Sequence, residues 1–232
     1  MDYLYQTFRQ DSVLNIFCDA STNGTGSDLK VCYGAVAVVM DNVIDSTYRI
    51  NTHSTSVQAE AMAVSMGIAL AIKYKHKYPI INIFSDSQIT IYNLRDRIYN
   101  WRCDGEGTLY SKSNTPAANQ TIYIMIVNVI CYYNLSVNFF HQKGHVNCGK
   151  LKELNHALNV FSNSNGVAAS TCLAFGRYIS KYNNMVDVHS RVILNRNQNF
   201  YKETIHPFEF KANPQLLEKY KNKIIKETKD EK

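Results

Sequence analysis

The sequence predicts an α/β fold, a mixed five-stranded sheet with helices on both faces, plus an inserted helical segment and a C-terminal helix. Three observations predict it. Three apolar stretches within residues 13–50 are joined by short polar turns, the pattern of an antiparallel meander. The hydrophobic period then lengthens at a capping-box pattern, Thr55 with Gln58. A short, nearly all-apolar run, 80–85, follows that helix, as a buried parallel strand requires.

Val13 to Asp19 reads as the first strand, since Val13, Leu14, Ile16 and Phe17 are apolar and a polar turn, Ser21-Thr22-Asn23-Gly24, follows. The second is the Val- and Ala-rich stretch Val31 to Met40, and Asp41-Asn42 leads tightly into the third, Val43 to Ile50. The first helix begins after Thr55. Ala59, Ala63, Met66 and Leu70 share one face, and Pro79 stops the helix at about Tyr78. After the strand Ile80 to Ser85 come a helix from Ser87 to Trp101 and a polar loop from Arg102 to Ala117.

Residues 119–133 are rich in β-branched side chains, which suits a strand, but their length and their place before the strand Leu135 to Phe140 favour a helix. Beyond His145 lie a helical segment, Lys150 to Phe161, a small-residue stretch, Ser162 to Ser170, and a second helical pattern through Tyr178 to Asp187. The expected division is a domain over 1–200 and a charged extension over 201–232. In the extension, Asn213-Pro214 starts a solvated helix from Leu216 to Ile225.

Of the 232 residues, 45% are hydrophobic and 19% charged, which excludes a disordered chain. A net charge of +6 suits a polyanionic partner without specifying one. The six cysteines (18, 32, 103, 131, 148 and 172) form no C-x-x-C pair, so reduced thiols and a cytoplasmic location are expected. His141, His145 and Cys148 are loosely zinc-spaced but lack an obvious fourth ligand. The start of the sequence carries no signal-peptide pattern, and the longest apolar run, Ile122 to Tyr133, is too short to span a bilayer. No membrane partner is expected.

Three strings carry chemistry: Phe17-Cys18-Asp19-Ala20-Ser21, Gln58-Ala59-Glu60-Ala61-Met62 and Phe84-Ser85-Asp86-Ser87-Gln88. Strand end, helix start and strand end would gather Asp19, Glu60 and Asp86 around one point. Like charges in close quarters repel, so a chain that gathers them is expected to hold divalent cations and to perform metal-assisted phosphodiester chemistry. Taken singly, each acid also has a structural reading, as a turn residue, a complement to a helix dipole in a first turn, or a cap.

In this order and context, residues 13 to about 195 resemble a type 1 ribonuclease H. The resemblance also rests on Tyr33-Gly34-Ala35, Lys143-Gly144-His145 and Asn183-Asn184-Met185-Val186-Asp187. It implies four carboxylates, Asp19, Glu60, Asp86 and Asp187, binding two Mg2+ ions (with Mn2+ as a substitute), and endonucleolytic cleavage of the RNA strand of RNA–DNA hybrids to 5′-phosphate and 3′-hydroxyl ends. Asp19 would bridge both ions, Glu60 and Asp86 would serve the leaving-group side, and Asp187 the side of the attacking water. His145 would transfer protons and assist product release.

The resemblance places Thr55 near a DNA phosphate and Asn23 and Gln88 at sugar edges in the minor groove. Arg95, Arg97, Arg102 and Lys112 would form a basic hybrid-binding surface, with Lys143 beside the loop histidine. Trp101 would contact the DNA backbone or sit in the core.

The fourth carboxylate departs from the pattern. The family's usual spacing after His145 lands on Asn155, whereas Asp187 lies some thirty residues later, which implies an insertion of roughly Cys148 to Lys181. The rival is a degenerate site with Asn155 in place. A replication or polymerase partner is a possible role for the added segments, and a monomer is expected. The competing functions are a same-fold nuclease on another nucleic acid and a catalytically silent binding module. Ser21, two positions after Asp19, argues against the proofreading-exonuclease branch, which has an acid there.

Overall fold

The computed structural model describes residues 3–24, 29–52, 54–112, 114–168, 172–196 and 211–227. The strands β1 (Val13–Asn23), β2 (Lys30–Val39) and β3 (Asn42–Thr52) make the antiparallel meander, and β4 (Ile80–Ser85) runs parallel to β1. A further strand, Val137–His141, runs parallel to β4 on its other side and completes a mixed five-stranded sheet; it is numbered β7 because a small hairpin, β5 (Arg102–Cys103) with β6 (Leu109–Tyr110), precedes it. The order is β3-β2-β1-β4-β7.

Two cores follow from the period-2 alternation of β1. Leu14, Ile16 and Cys18 face one side, where α2 (Ser56–Tyr74) and α4 (Gln120–Tyr132) pack. Phe17 faces the other, which α5 (Leu151–Asn165) and α6 (Leu173–Arg196) cover. That second core is aromatic: Phe17 stacks on Phe84 at 4.7 Å, and Phe140, Phe161 and Phe175 join them. A short helix that patterning missed, α1 (Tyr3–Phe8), adds Phe8 to the cluster.

The helix of 119–133 forms as expected, and so does the capping box: Gln58 N–H donates to Thr55 Oγ1 and Thr55 N–H to Gln58 Oε1, both at 3.1 Å. Four expectations need correction. The first helix ends at Tyr74, four residues before Tyr78, in a turn that precedes Pro79. The helix expected from Ser87 to Trp101 is broken into α3 (Gln88–Tyr92), a π turn (Asn93–Arg97) and a 3-10 turn (Ile98–Asn100). The first strand does not end at Asp19: it runs to Asn23 through residues read as a polar turn, paired with β2, so Asp19 lies inside β1. Lys181 lies within α6, which is continuous because Phe175, Tyr178, Ile179, Tyr182 and Val186 form one buried stripe.

The last correction concerns α7 (Pro214–Glu227). Its start is as read, with Leu216 N–H donating to Asn213 Oδ1 at 2.8 Å. It is no solvated appendage, however: Leu217, Tyr220 and Ile224 lie in the main core. Residues 201–210 of the charged extension lie outside the described residues.

Tyr220 also explains how the broken helix is tolerated. Its hydroxyl, on a side chain 0% exposed, donates to the carbonyl of Leu94 in the π turn at 2.8 Å. Tyr220→Phe removes this donor from a buried carbonyl and is expected to cost about 1–3 kcal/mol, read as a lower urea midpoint at constant m-value. Among the described residues, no helix is long and apolar enough to cross a membrane.

Candidate active site

The sheet itself creates the crevice. β1 has an antiparallel neighbour on one side and a parallel one on the other; β4 ends at Ser85, opposite Cys18, while β1 runs on to Asn23 beside β2, so a crevice opens alongside Asp19 at the carboxyl end of β4. Asp19 follows Cys18, and Asp86 follows Ser85. Glu60 arrives from α2; it is the fifth helical residue, in the second turn and not the first, so its place is set by the site more than by the helix dipole. One oxygen from each of Asp19, Glu60 and Asp86 falls within 4.8 Å of the others.

Asp19 Oδ1 accepts the Ala20 N–H at 2.7 Å, but Asp19 Oδ2 and Glu60 Oε2 are buried without a hydrogen-bond partner. Burial and the neighbouring Asp86 push Asp19 up to about 8. Burial, then Asp19 and Asp86, raise Glu60 well above the carboxylate range. Asp86 rises through burial, with His145 and the Asn183 amide opposing the shift. Unpartnered oxygens and proton-retaining acids are what a cation-binding cluster shows without its cation. The donors are hard oxygens, so the residues fit a hard divalent ion.

A raised native pKa means that the folded protein holds these protons more tightly than the unfolded chain. The resulting stability is fully present below about pH 4 and is lost as pH rises toward about 8. A divalent cation competes with those protons. The gain in melting temperature on adding Mg2+ in place of EDTA is therefore expected to grow from pH 5 to pH 8, reaching roughly 5–10 °C at a hundredfold excess over Kd. Equal gains at both pH values would contradict a buried acidic cluster.

Asp187 stands outside the group of three, yet its charge raises Asp19, Glu60 and Asp86. Its Oδ1 accepts from Ser21 Oγ at 3.1 Å, two residues along the same strand face from Asp19. Asn155 is exposed on α5. His145, in the left-handed region at φ 52° and 74% exposed, places Nδ1 3.5 Å from Asp187 Oδ2. The preceding Gly144 has no alternative: a Cβ there would overlap the Asp86 carboxylate.

The expected substrate residues are not all brought together. Thr55 caps α2 with its hydroxyl, Asn23 ends β1, and Gln88 and Lys143 are exposed. Arg97, Lys112 and Trp101 line a cleft of about 590 Å³ with Asn93, Asp96, Asn100 and Ser111. Trp101 is half-buried and also packs edge-on against Tyr123. Arg102 lies over the Tyr110 ring at 4.3 Å and donates to Asn114.

Arg95 does not belong to this surface. Its guanidinium donates to Asn165 Oδ1 at 2.8 Å and Ser164 O at 2.9 Å and pairs with Asp96, which ties the π turn after α3 to the end of α5. Asn165 also bonds the His141 backbone, and His141 itself is buried against Ser164. Sequence reading missed Ser21 and Gln142 as neighbours of the site; Gln142 donates to Asn183 Oδ1 at 2.7 Å and so fixes the amide that faces Asp86.

The family model described as RNase H matches residues 11–162. The chain belongs to this family. Among solved structures, the solution structure of the PFV RNase H domain is similar at 16% identity and a TM-score of 0.48, covering 66% of this chain and 94% of that one. LC11-RNase H1 in complex with RNA/DNA hybrid gives 11% identity and a TM-score of 0.43 over 56% of this chain and 85% of that one. The foamy viral protease-reverse transcriptase in complex with RNA/DNA hybrid gives 13% and 0.47 over 66% of this chain; the match spans 20% of that chain's length. A search of curated proteins returned no match. For this RNase H family member the matched region ends within α5, so Asp19, Glu60, Asp86 and His145 lie inside it and Asp187 lies beyond it.

Proposed function

We propose that this chain is a metal-dependent endoribonuclease that cuts the RNA strand of RNA–DNA hybrids. The observation that carries the reading is the trio Asp19, Glu60 and Asp86 at the sheet edge, with two buried oxygens unpartnered, in a chain of the RNase H family. Asp19, Glu60 and Asp86 would hold one divalent cation, and Asp19 with Asp187 a second. Bound Mg2+ or Mn2+ would supply Lewis-acid activation and charge neutralisation at the scissile phosphate.

The protein's own groups do the rest. Gly144 lets the histidine loop close on Asp86. Ser21 orients the Asp187 carboxylate, and the solvent-facing His145 carries a proton between that edge and bulk water. Arg97, Arg102, Lys112 and Lys143 attract the polyanion, while Thr55, Asn23 and Gln88 flank the strand ends, where a 2′-hydroxyl would be read as donor and acceptor. Products would carry 5′-phosphate and 3′-hydroxyl ends.

The test incubates the protein with end-labelled hybrid, double-stranded RNA and duplex DNA, in Mg2+ or EDTA. Cutting of hybrid RNA alone, dependent on Mg2+, supports the proposal. Cutting of another duplex, or binding of hybrid without cutting, overturns it.

A further inference from the structure

The four carboxylates are not equivalent. Asp19 and Glu60 each keep a buried oxygen without a partner, whereas both oxygens of Asp187 are engaged. Oδ1 accepts from Ser21 Oγ at 3.1 Å, and Oδ2 lies 2.5 Å from Arg191 Nη2 and 3.5 Å from His145 Nδ1. Arg191 sits one helical turn beyond Asp187 on α6, so the helix itself presents the pair. The Asp187 side chain is 11% exposed and that of Arg191 56%, so a guanidinium reaches in from solvent onto a carboxylate withdrawn from water. Arginine stays charged throughout the working pH range. Its charge also extends beyond the pair, since Arg191 opposes the upward shift of Asp19.

An exposed i,i+4 ion pair contributes little to stability. This one instead occupies the oxygen that a cation would need. We infer that Arg191 is a positioning residue serving as the built-in counter-ion of Asp187, so that a divalent cation must displace its guanidinium to reach that carboxylate, while the Asp19–Glu60–Asp86 position takes a cation without displacing any side chain. The inference rests on the proposed reading that these carboxylates hold cations. It makes the two positions unequal for a reason that lies in one side chain. It also gives the displaced guanidinium, at the rim of the site, freedom to pair with an anion.

The test measures Mn2+ binding to the full chain by electron paramagnetic resonance of free Mn2+ and by calorimetry, with no nucleic acid present. Wild type, Arg191→Gln and Arg191→Lys are compared. Wild type is expected to bind one ion tightly and one weakly. Arg191→Gln should tighten the weak ion about tenfold, which is ~1.4 kcal/mol, and leave the tight one unchanged. Arg191→Lys should fall between the two, keeping the charge without the planar fork. A single cooperative melting transition in EDTA for all three proteins serves as the folding control, with Arg191→Gln expected to melt lower because it leaves the Asp187 carboxylate without its counter-ion.

A merely structural arginine would give the opposite pattern. If Arg191→Gln leaves the weak ion unchanged or loosens it, the counter-ion role is overturned and the proposed function stands. If none of the three proteins binds Mn2+, the proposed function falls and takes this inference with it.

Discussion

Asp86→Asn is expected to slow cleavage of hybrid RNA by about three orders of magnitude, equivalent to ~4 kcal/mol of lost transition-state stabilisation, without unfolding the protein. The substitution keeps the side chain's shape, so the close approach of Gly144 survives. It removes one of three crowded acids that burial and their mutual repulsion push upward, so in EDTA at neutral pH the variant should melt at or above the wild-type temperature. The Mg2+-dependent gain in melting temperature should shrink in parallel with activity. Cleavage rates on labelled hybrid and melting curves with and without Mg2+ give both readouts. Wild-type cleavage by this variant would remove Asp86 from the site.

Asp187→Asn paired with Asn155→Ala separates the two readings of the fourth position. The first is expected to cost about a hundredfold in cleavage rate, ~2.7 kcal/mol, and the second less than twofold. The physical ground is burial and charge: Asp187 faces Ser21 and raises the other three acids, whereas Asn155 lies on the exposed side of α5. The family match ends within α5 and does not reach Asp187, so this experiment carries the decision. A large loss from Asn155→Ala with a small one from Asp187→Asn would move the fourth position to α5.

Much of the fold was legible because it is written in local chemistry. A near-continuous apolar run marked β1, the Thr55–Gln58 box marked the start of α2, and the Asn213-Pro214 pair marked α7. Acidic residues that interrupt apolar runs stand out in a sequence, so Asp19, Glu60 and Asp86 could be singled out and expected to converge, and the structure brings them within 4.8 Å, although Asp19 lies inside β1 and Glu60 in the second turn of α2. The break in the helix after Gln88 was not visible. No proline or glycine marks it, and its freed carbonyl at Leu94 is satisfied by a tyrosine more than a hundred residues away. Arg95 misled for a related reason: a cation beside an expected site looks like a substrate contact until its partners on α5 are seen.

From the residues alone came the order of the five main-sheet strands, the mixed sheet and the three acids expected to converge, since each is encoded within a few positions of itself. Partners across the chain came only with folding: α7 seated in the main core, α5 tied to Arg95, and Asp187 drawn over β1 between Ser21 and Arg191. Such pairings depend on which surfaces meet once the apolar faces are buried, and short-range periodicity holds no record of that.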